Sequence, residues 1–344
     1  MTLSFVLPCY NMEKYLARCL DSLLAQDIPK EDYEIVVVND GSKDGTLEIA
    51  RTYETQHSNI RVIDKPNGGV GSARNRGLRE AKGEYLYFFD PDDYISKNIL
   101  GTLLGLTEKY EPEILAFEHT SLDLKDPLKP EADPYELNGE LKVQTGLEFI
   151  GSQNYTGEAW WYLVKKSFLE KHKTTFMEDR LMEDVIFTFE NLLYTEKMLF
   201  VPIDVYRYIT VPNSIRTSKE PRHFRKFVFD CEKAVHTEGK LIEQFVNPDT
   251  HPKTYNRLKS KQQAIVLFLL LRLIRSDIPF SYVGPMLKDF KQIGAYPLNY
   301  LLGEDFNGLV YKTLAFIINR KILLYPFMYV LRAFYRIMGL FKKG

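Results

Sequence analysis

Over the first 120 residues, short apolar runs alternate with stretches in which apolar positions recur every three or four residues. The runs at 3–7, 34–38, 60–63, 84–89 and 114–117 are rich in Val, Ile, Leu and aromatic residues and predict strands. Between them lie helical patterns such as Leu16, Leu20, Leu23 and Leu24 on one face. Crossovers between parallel strands are right-handed in nearly every case, so the carboxyl ends of these strands should share one sheet edge. In open α/β sheets that edge is where ligands bind. Past residue 120 the rhythm stops. Residues 122–141 are rich in Asp, Lys, Glu and Pro and read as a surface excursion before a helix near Thr145. The stretch from Trp160 to Leu169 reads as a helix, as does Val185-Ile186-Phe187-Thr188-Phe189. From about 221 to 300 the pattern is helical, with segments near 221–246, 252–276 and 279–293.

Four loops fall on the shared edge. The run ending in Phe89-Asp90-Pro91-Asp92-Asp93 sets three carboxylates within four residues, beyond capping reach of the next helix near Ser96. In an extended segment Asp90 and Asp92 project to the same side and could converge on one hard cation or a cation-bound phosphate. Asp40, in Asn39-Asp40-Gly41-Ser42, stands at a strand end, where it could serve a turn or accept hydrogen bonds from a base or ribose. Asp44 reads as a cap for the next helix. The stretch from Gly68 to Gly77 joins a glycine loop to a helix start carrying Arg74, a combination suited to a diphosphate. It matches neither the dinucleotide fingerprint nor the P-loop.

Lys+Arg 45 against Asp+Glu 46 gives a net charge of -1, so nothing overall favours nucleic acid. Cys9, Cys19 and Cys231 lack metal or redox spacing, which points to a reducing compartment. The N-terminus enters a strand almost at once, so no export is expected. The longest apolar run, 264–271, falls short of the roughly 18 residues needed to span a bilayer.

Taken together, Val6-Leu7-Pro8-Cys9-Tyr10-Asn11, Val38-Asn39-Asp40-Gly41-Ser42-Lys43-Asp44-Gly45-Thr46, Asn67-Gly68-Gly69 through Ala73-Arg74-Asn75-Arg76-Gly77, and Phe89-Asp90-Pro91-Asp92-Asp93 resemble the family 2 glycosyltransferases. These are inverting enzymes of α/β GT-A fold, Rossmann-like with a mostly parallel central sheet. The resemblance covers about 1–215 and implies a nucleotide-sugar half at 1–120 and an acceptor half at 121–215. It places the donor base against Asp40 and the loop of Pro8 and Tyr10, and the ribose near Asp90. Asn11, Asn67, Gly69 and Arg74 complete the donor site, and Asp92 ligates the Mn²⁺ or Mg²⁺ that bridges the diphosphate, with Asp93 assisting. Chemistry alone makes Glu183-Asp184 a capping pair at a helix start. The resemblance instead makes Asp184 the general base and has Glu183 orient its neighbours. Trp160 and Trp161 read either as core aromatics or as an acceptor sugar platform. Tyr206-Arg207-Tyr208 and Asn213-Ser214-Ile215-Arg216 resemble the family's closing strand and loop, where a basic group can approach the diphosphate. No histidine stands there.

The expected function is transfer of a sugar, by default from a UDP-sugar, to a glycan or polyprenyl-linked acceptor in cell-surface polysaccharide synthesis. The rivals are a nucleotidyltransferase and a non-catalytic sugar-nucleotide or glycan binder. Behind the catalytic part the expectation is a helical extension over 216–305 and a tail over 306–344 with seven Lys or Arg and no Asp or Glu. As a helix from Pro326, the tail sets Phe327, Val330, Leu331, Phe334, Ile337, Met338 and Phe341 on one stripe and Arg332, Arg336 and Lys343 on another. That stripe either packs on the protein or lies on an anionic membrane; the all-basic balance favours the membrane, placing the protein on the inner face of the cell membrane.

Overall fold

The computed structural model describes residues 1–133, 137, 141–211, 221–301, 305–306 and 308–338, with the backbone alone at 221–223. The loop Asn213-Ser214-Ile215-Arg216 and the tail residues Phe341 and Lys343 lie outside the described residues. Two compact units emerge: Met1–Gly146, Thr156–Asp179 and Glu183–Pro212 form the first, and Leu147–Tyr155, Arg180–Met182 and Asn213–Gly344 the second.

The first unit begins with the anticipated alternation: β1 (Leu3–Cys9), α1 (Leu16–Leu24), β2 (Tyr33–Asn39), α2 (Thr46–Gln56), β3 (Ile60–Asp64), α3 (Val70–Glu80) and β4 (Tyr85–Phe88). All seven residues of β1 and of β2 are buried, the pattern of strands covered on both faces. There follow β5 (Tyr94–Ile95), α4 (Leu100–Tyr110), β6 (Ile114–Asp123), β7 (Val143–Gln144), then α5 (Gly146–Ser152), which enters the second unit, and β8 (Tyr162–Lys165), α6 (Lys166–His172), α7 (Glu183–Tyr194) and β9 (Met198–Thr210). The sheet order is β3-β2-β1-β4-β8-β6-β9-β5, with β7 pairing to β9. β1 runs parallel to β2 and β4, and β2 parallel to β3. Their carboxyl ends, at Cys9, Asn39, Asp64 and Phe88, therefore lie on one edge.

The helix expected over Trp160–Leu169 is not present as such. Trp160 and Trp161 occupy a turn, Tyr162–Lys165 forms β8 between β4 and β6, antiparallel to both, and α6 starts only at Lys166. Tertiary pairing overrides periodicity here, because a four-residue strand is too short to display its own period.

The second unit holds α8 (Pro221–Phe245), α9 (Pro252–Ile274), α10 (Val283–Gln292), α11 (Leu309–Ile318) and α12 (Lys321–Ile337) around one core that includes Val228, Val235, Leu267, Leu270, Phe290, Leu324 and Met328. The tail helices thus share a unit and a core with α8 to α10. The tail helix starts at Lys321 rather than Pro326, which sits inside it.

Candidate active site

Asp40 follows the end of β2 and is almost fully buried. One carboxylate oxygen accepts the Lys65 ammonium at 2.5 Å and the Gly68 N–H at 2.9 Å; the other accepts the Gly69 N–H at 2.8 Å. The Asn67 side-chain amide donates to the Asp40 carbonyl at 2.8 Å. Gly69 holds φ 85°, a left-handed conformation open to glycine, and a Cβ there would meet nothing within 4 Å. The two glycine N–H groups are thus engaged by Asp40, which uses three of about four acceptor directions and keeps one. Lys65 had no assigned role in the sequence; its partner lies 25 residues earlier, beyond any local pattern.

In the β1–α1 loop, Pro8 is buried within β1 and Tyr10 is exposed. Asn11, at φ 57°, joins two loops: its N–H donates to the Ser42 hydroxyl and its side-chain oxygen accepts the Lys43 N–H. Asp44 accepts the N–H groups of Thr46 and Glu13, so it ties the start of α2 to the same loop.

Asp90 to Asp93 form a turn, closed by the Asp93 N–H on the Asp90 carbonyl at 3.2 Å, instead of an extended segment. Asp93 points inward, where it accepts the Tyr206 hydroxyl at 2.5 Å and the Ile209 N–H at 2.6 Å. It anchors β9, and the assisting role expected of it at the metal does not fit this orientation. Asp90 and Asp92 stay partly open. Burial, and then the Asp90 carboxylate, push the Asp92 pKa up to about 7, against Arg18 and Arg74. Among the described residues no cationic side chain pairs with the Asp92 carboxylate, and no group of three or more His, Cys, Asp and Glu could hold a metal unaided. An acceptor-only group strained by a like charge fits a hard divalent cation whose remaining ligands come from phosphate oxygens and water.

Arg74 is buried, and its guanidinium bridges Asp90 at 2.8 Å and Glu183 at 2.7 Å with its face over the Phe176 ring. Expected at the diphosphate, it stands as a strut between the acidic turn and the start of α7. The neighbouring Asn75 donates to the Phe176 carbonyl and to Glu178, and its side-chain oxygen accepts the Phe176 N–H. Gly71 permits the approach: a Cβ there would lie 2.5 Å from the Met177 carbonyl oxygen. Asn75 lies within the quoted motif, but its partner Phe176 is 101 residues away, beyond any local pattern.

Asp184, in the first turn of α7, keeps part of its surface open, and one carboxylate oxygen accepts the Val185 N–H at 2.8 Å. Burial raises its pKa, Arg74 opposes this, and Asp90 adds to it. Glu183 is buried and also raised, by burial and by Asp184, with Arg74 pulling the other way. Trp160 and Trp161 are both buried; the Trp160 ring stacks on Tyr206 at 4.4 Å and 4°, so that face is already covered. Arg207 is fully buried and spent on Asp204 and the carbonyls of Lys129 and Glu131.

Against known proteins, residues 4–168 match the model of Glycosyl transferase family 2. Over these residues the chain is similar to glycosyl transferase family 2. The uncharacterized glycosyltransferase EpsJ of Bacillus subtilis is 32% identical over 215 residues, which cover 62% of each chain. The poly(ribitol-phosphate) beta-glucosyltransferase of Bacillus spizizenii is 34% identical over 203 residues, 58% of this chain and 30% of its own length. The chain thus spans less than two thirds of these relatives. The fold is shared with S. aureus TarS 1-349 in complex with UDP-GlcNAc, at 21% identity and TM-score 0.56 over 86% of this chain and 90% of that one. It is shared also with the mannosyltransferase PcManGT from Pyrobaculum calidifontis in complex with GDP-Man and Mn2+, at 17% identity and TM-score 0.53 over 92% of this chain and 86% of that one. The α/β architecture of the first unit, with its mostly parallel sheet, is GT-A-like, as in these two structures.

Proposed function

We propose that the chain is an inverting, metal-dependent glycosyltransferase that moves a sugar from a nucleotide sugar, with UDP-sugar the favoured donor, to a glycan or lipid-linked saccharide in cell-surface polysaccharide synthesis. The observation that carries this reading is the Arg74 bridge, which ties the Asp90–Asp92 turn to the Glu183-Asp184 helix start within one unit. A donor-side acidic turn and a partly open carboxylate are thereby held in one frame. UDP is the default donor by the sequence resemblance; the shared fold admits either base, since its neighbours are described with UDP-GlcNAc and with GDP-Man.

In the reaction Asp40, Asn67 and the loop of Pro8 and Tyr10 receive the base, with Asn11 and Gly69 shaping the walls. Asp90 receives the ribose side. Asp92 would hold Mn²⁺ or Mg²⁺, which supplies charge stabilisation to the departing diphosphate. Asp184 takes the proton from the acceptor hydroxyl as that oxygen bonds the anomeric carbon and the bond to the diphosphate breaks, leaving the nucleoside diphosphate. Its raised pKa brings it nearer the working pH of a general base. Glu183, paired with Arg74, orients this carboxylate. Trp160 and Trp161 shape the acceptor side through packing. The site of action is the inner face of the cell membrane, where a polyprenyl-linked acceptor would be found.

Hydrolysis of a panel of nucleotide sugars by the purified chain tests this reading. Release of nucleoside diphosphate that stops in chelator and in Asp92→Asn is expected. Release of pyrophosphate would point to nucleotidyl transfer, and donor binding without turnover to a binding protein.

A further inference from the structure

α12 has two apolar faces. Leu324 and Met328 are buried, and Leu331 and Tyr335 pack on the same core. On the opposite side Ile322, Pro326, Tyr329, Val330, Ala333 and Ile337 are exposed and fall, at 100° per residue, within a sector about 100° wide along the whole helix. Ile322 is 82% exposed, Val330 67% and Ile337 84%, and Phe334 and Met338 flank them. α11 adds exposed Leu309, Val310 and Phe316. Isolated surface apolar residues need no explanation, but a stripe four turns long on a helix whose other face is already in the core calls for a cover.

The stripe expected from sequence is split by the structure. Phe327 and Leu331 turn to the core, while Val330, Phe334, Ile337 and Met338 turn outward. Arg332, expected on a solvent-facing basic stripe, donates to the carbonyls of Leu273, Ile274 and Ile278 and stacks on Phe280 at 3.7 Å, closing the end of α9. The exposed cations around the apolar sector are Lys312, Arg320, Lys321 and Arg336. Arg320 lies over the Phe316 ring at 3.7 Å, which joins a charge to an exposed aromatic. No acidic residue occurs from 306 to 344, so nothing on this segment repels an anionic surface.

We propose that the outward sector of α12, with the exposed apolar residues of α11, is the surface that docks in the headgroup region of an anionic bilayer. Charge selects this occupant, because a second copy of the same segment would bring cations against cations. No single described helix is long and apolar enough to cross a membrane; α11 and α12 pass that test together but meet at 112°. Since α12 also buries its inner face in protein, it lies along the interface, one side on the core and the other in lipid. This deepens the membrane part of the reading above and rests on it. Vesicle binding needs no turnover and donor hydrolysis needs no lipid, so each can fail alone.

The test is flotation of the full chain with vesicles of phosphatidylcholine, with and without 30 mol% phosphatidylglycerol as the probe (about a third anionic, enough to attract a basic segment). The chain should float with the anionic vesicles and be released by salt. Val330→Glu/Ile337→Glu, on the exposed sector, should lower binding at least about tenfold with an unchanged melting temperature, while Arg320→Gln/Lys321→Gln should abolish the preference for anionic lipid. Binding that survives Val330→Glu/Ile337→Glu would overturn the proposal. So would a chain that ignores vesicles, and so would one that dimerises in a manner broken by the same pair, since a second copy would then be the cover. Should Val330→Glu/Ile337→Glu melt early, Val330→Ser/Ile337→Ser reads the same face with less strain.

Discussion

Arg74 carries two ion pairs from a buried position, so its removal strands Asp90 and Glu183 together. Breaking a buried pair by deleting one partner typically costs about 3–5 kcal/mol. Arg74→Met should therefore lower stability on that scale, measured by urea unfolding. Arg74→Lys should recover only part of it, because one ammonium lacks the fork that reaches both carboxylates. Asp184→Asn has a different expected signature: nearly unchanged donor affinity in calorimetry and transfer slower by roughly 10²–10⁴-fold, the usual worth of a general base. Equal loss of donor binding would make Asp184 a nucleotide or structural residue instead. The acidic turn stood out in the sequence because charge that dense at the end of an apolar run needs a partner, whereas the Glu183-Asp184 pair reads as a helix cap by chemistry alone and stood out only through the family resemblance. The identity of that partner was hidden, since Arg74 and Glu183 are 109 residues apart. The inward turn of Asp93 was equally hidden, because it depends on Tyr206 and Ile209 on a distant strand.

At the scale of elements, α3 does more than supply a helix start. Its Gly71, Arg74 and Asn75 clamp the segment around Phe176 and Met177 that leads to α7. Gly71→Ala would place a methyl 2.5 Å from the Met177 carbonyl oxygen, and backbone cannot move aside as a side chain can. Overpacking of this kind costs about 1–3 kcal/mol. Gly71→Ala should lower the melting temperature and slow transfer more than it weakens donor binding, because the displaced segment bears on α7; an active, fully stable variant would show that the clamp is slack. The strands β1 to β4 were legible from sequence to within two residues: β1, β2 and β4 are fully buried and cannot hide their apolar runs, and β3 alternates buried and more exposed positions. α8, α9 and α10 were legible for the complementary reason, being long enough to show their period. β8 was misread because four residues of strand, preceded by two tryptophans and followed by a helix, carry no period of their own.

For the molecule as a whole, a net charge of -1 conceals a folded state that holds carboxyl groups against their usual ionisation. Glu238, on α8, gives the cleanest case. It is 3% exposed, and burial pushes its pKa up to about 8 despite the opposing charges of Lys261 and Lys259, all within the second unit. One of its carboxylate oxygens is buried without a hydrogen-bond partner among the described residues. Because the folded pKa exceeds the unfolded value near 4.5, the native state binds the extra proton between these two values, and stability falls as pH rises through that window. The advantage of the protonated form is complete below about pH 4.5 and gone above about 8, the reverse of an ion-paired carboxylate. Glu238→Gln removes the titrating group while keeping the shape. The wild-type chain should lose melting temperature between pH 5.5 and 8.5, and Glu238→Gln should flatten that decline and melt higher than the wild type at pH 8.5. The same slope in both proteins would mean that Glu238 stays ionised through the window, held by Lys259 and Lys261 more strongly than burial opposes them.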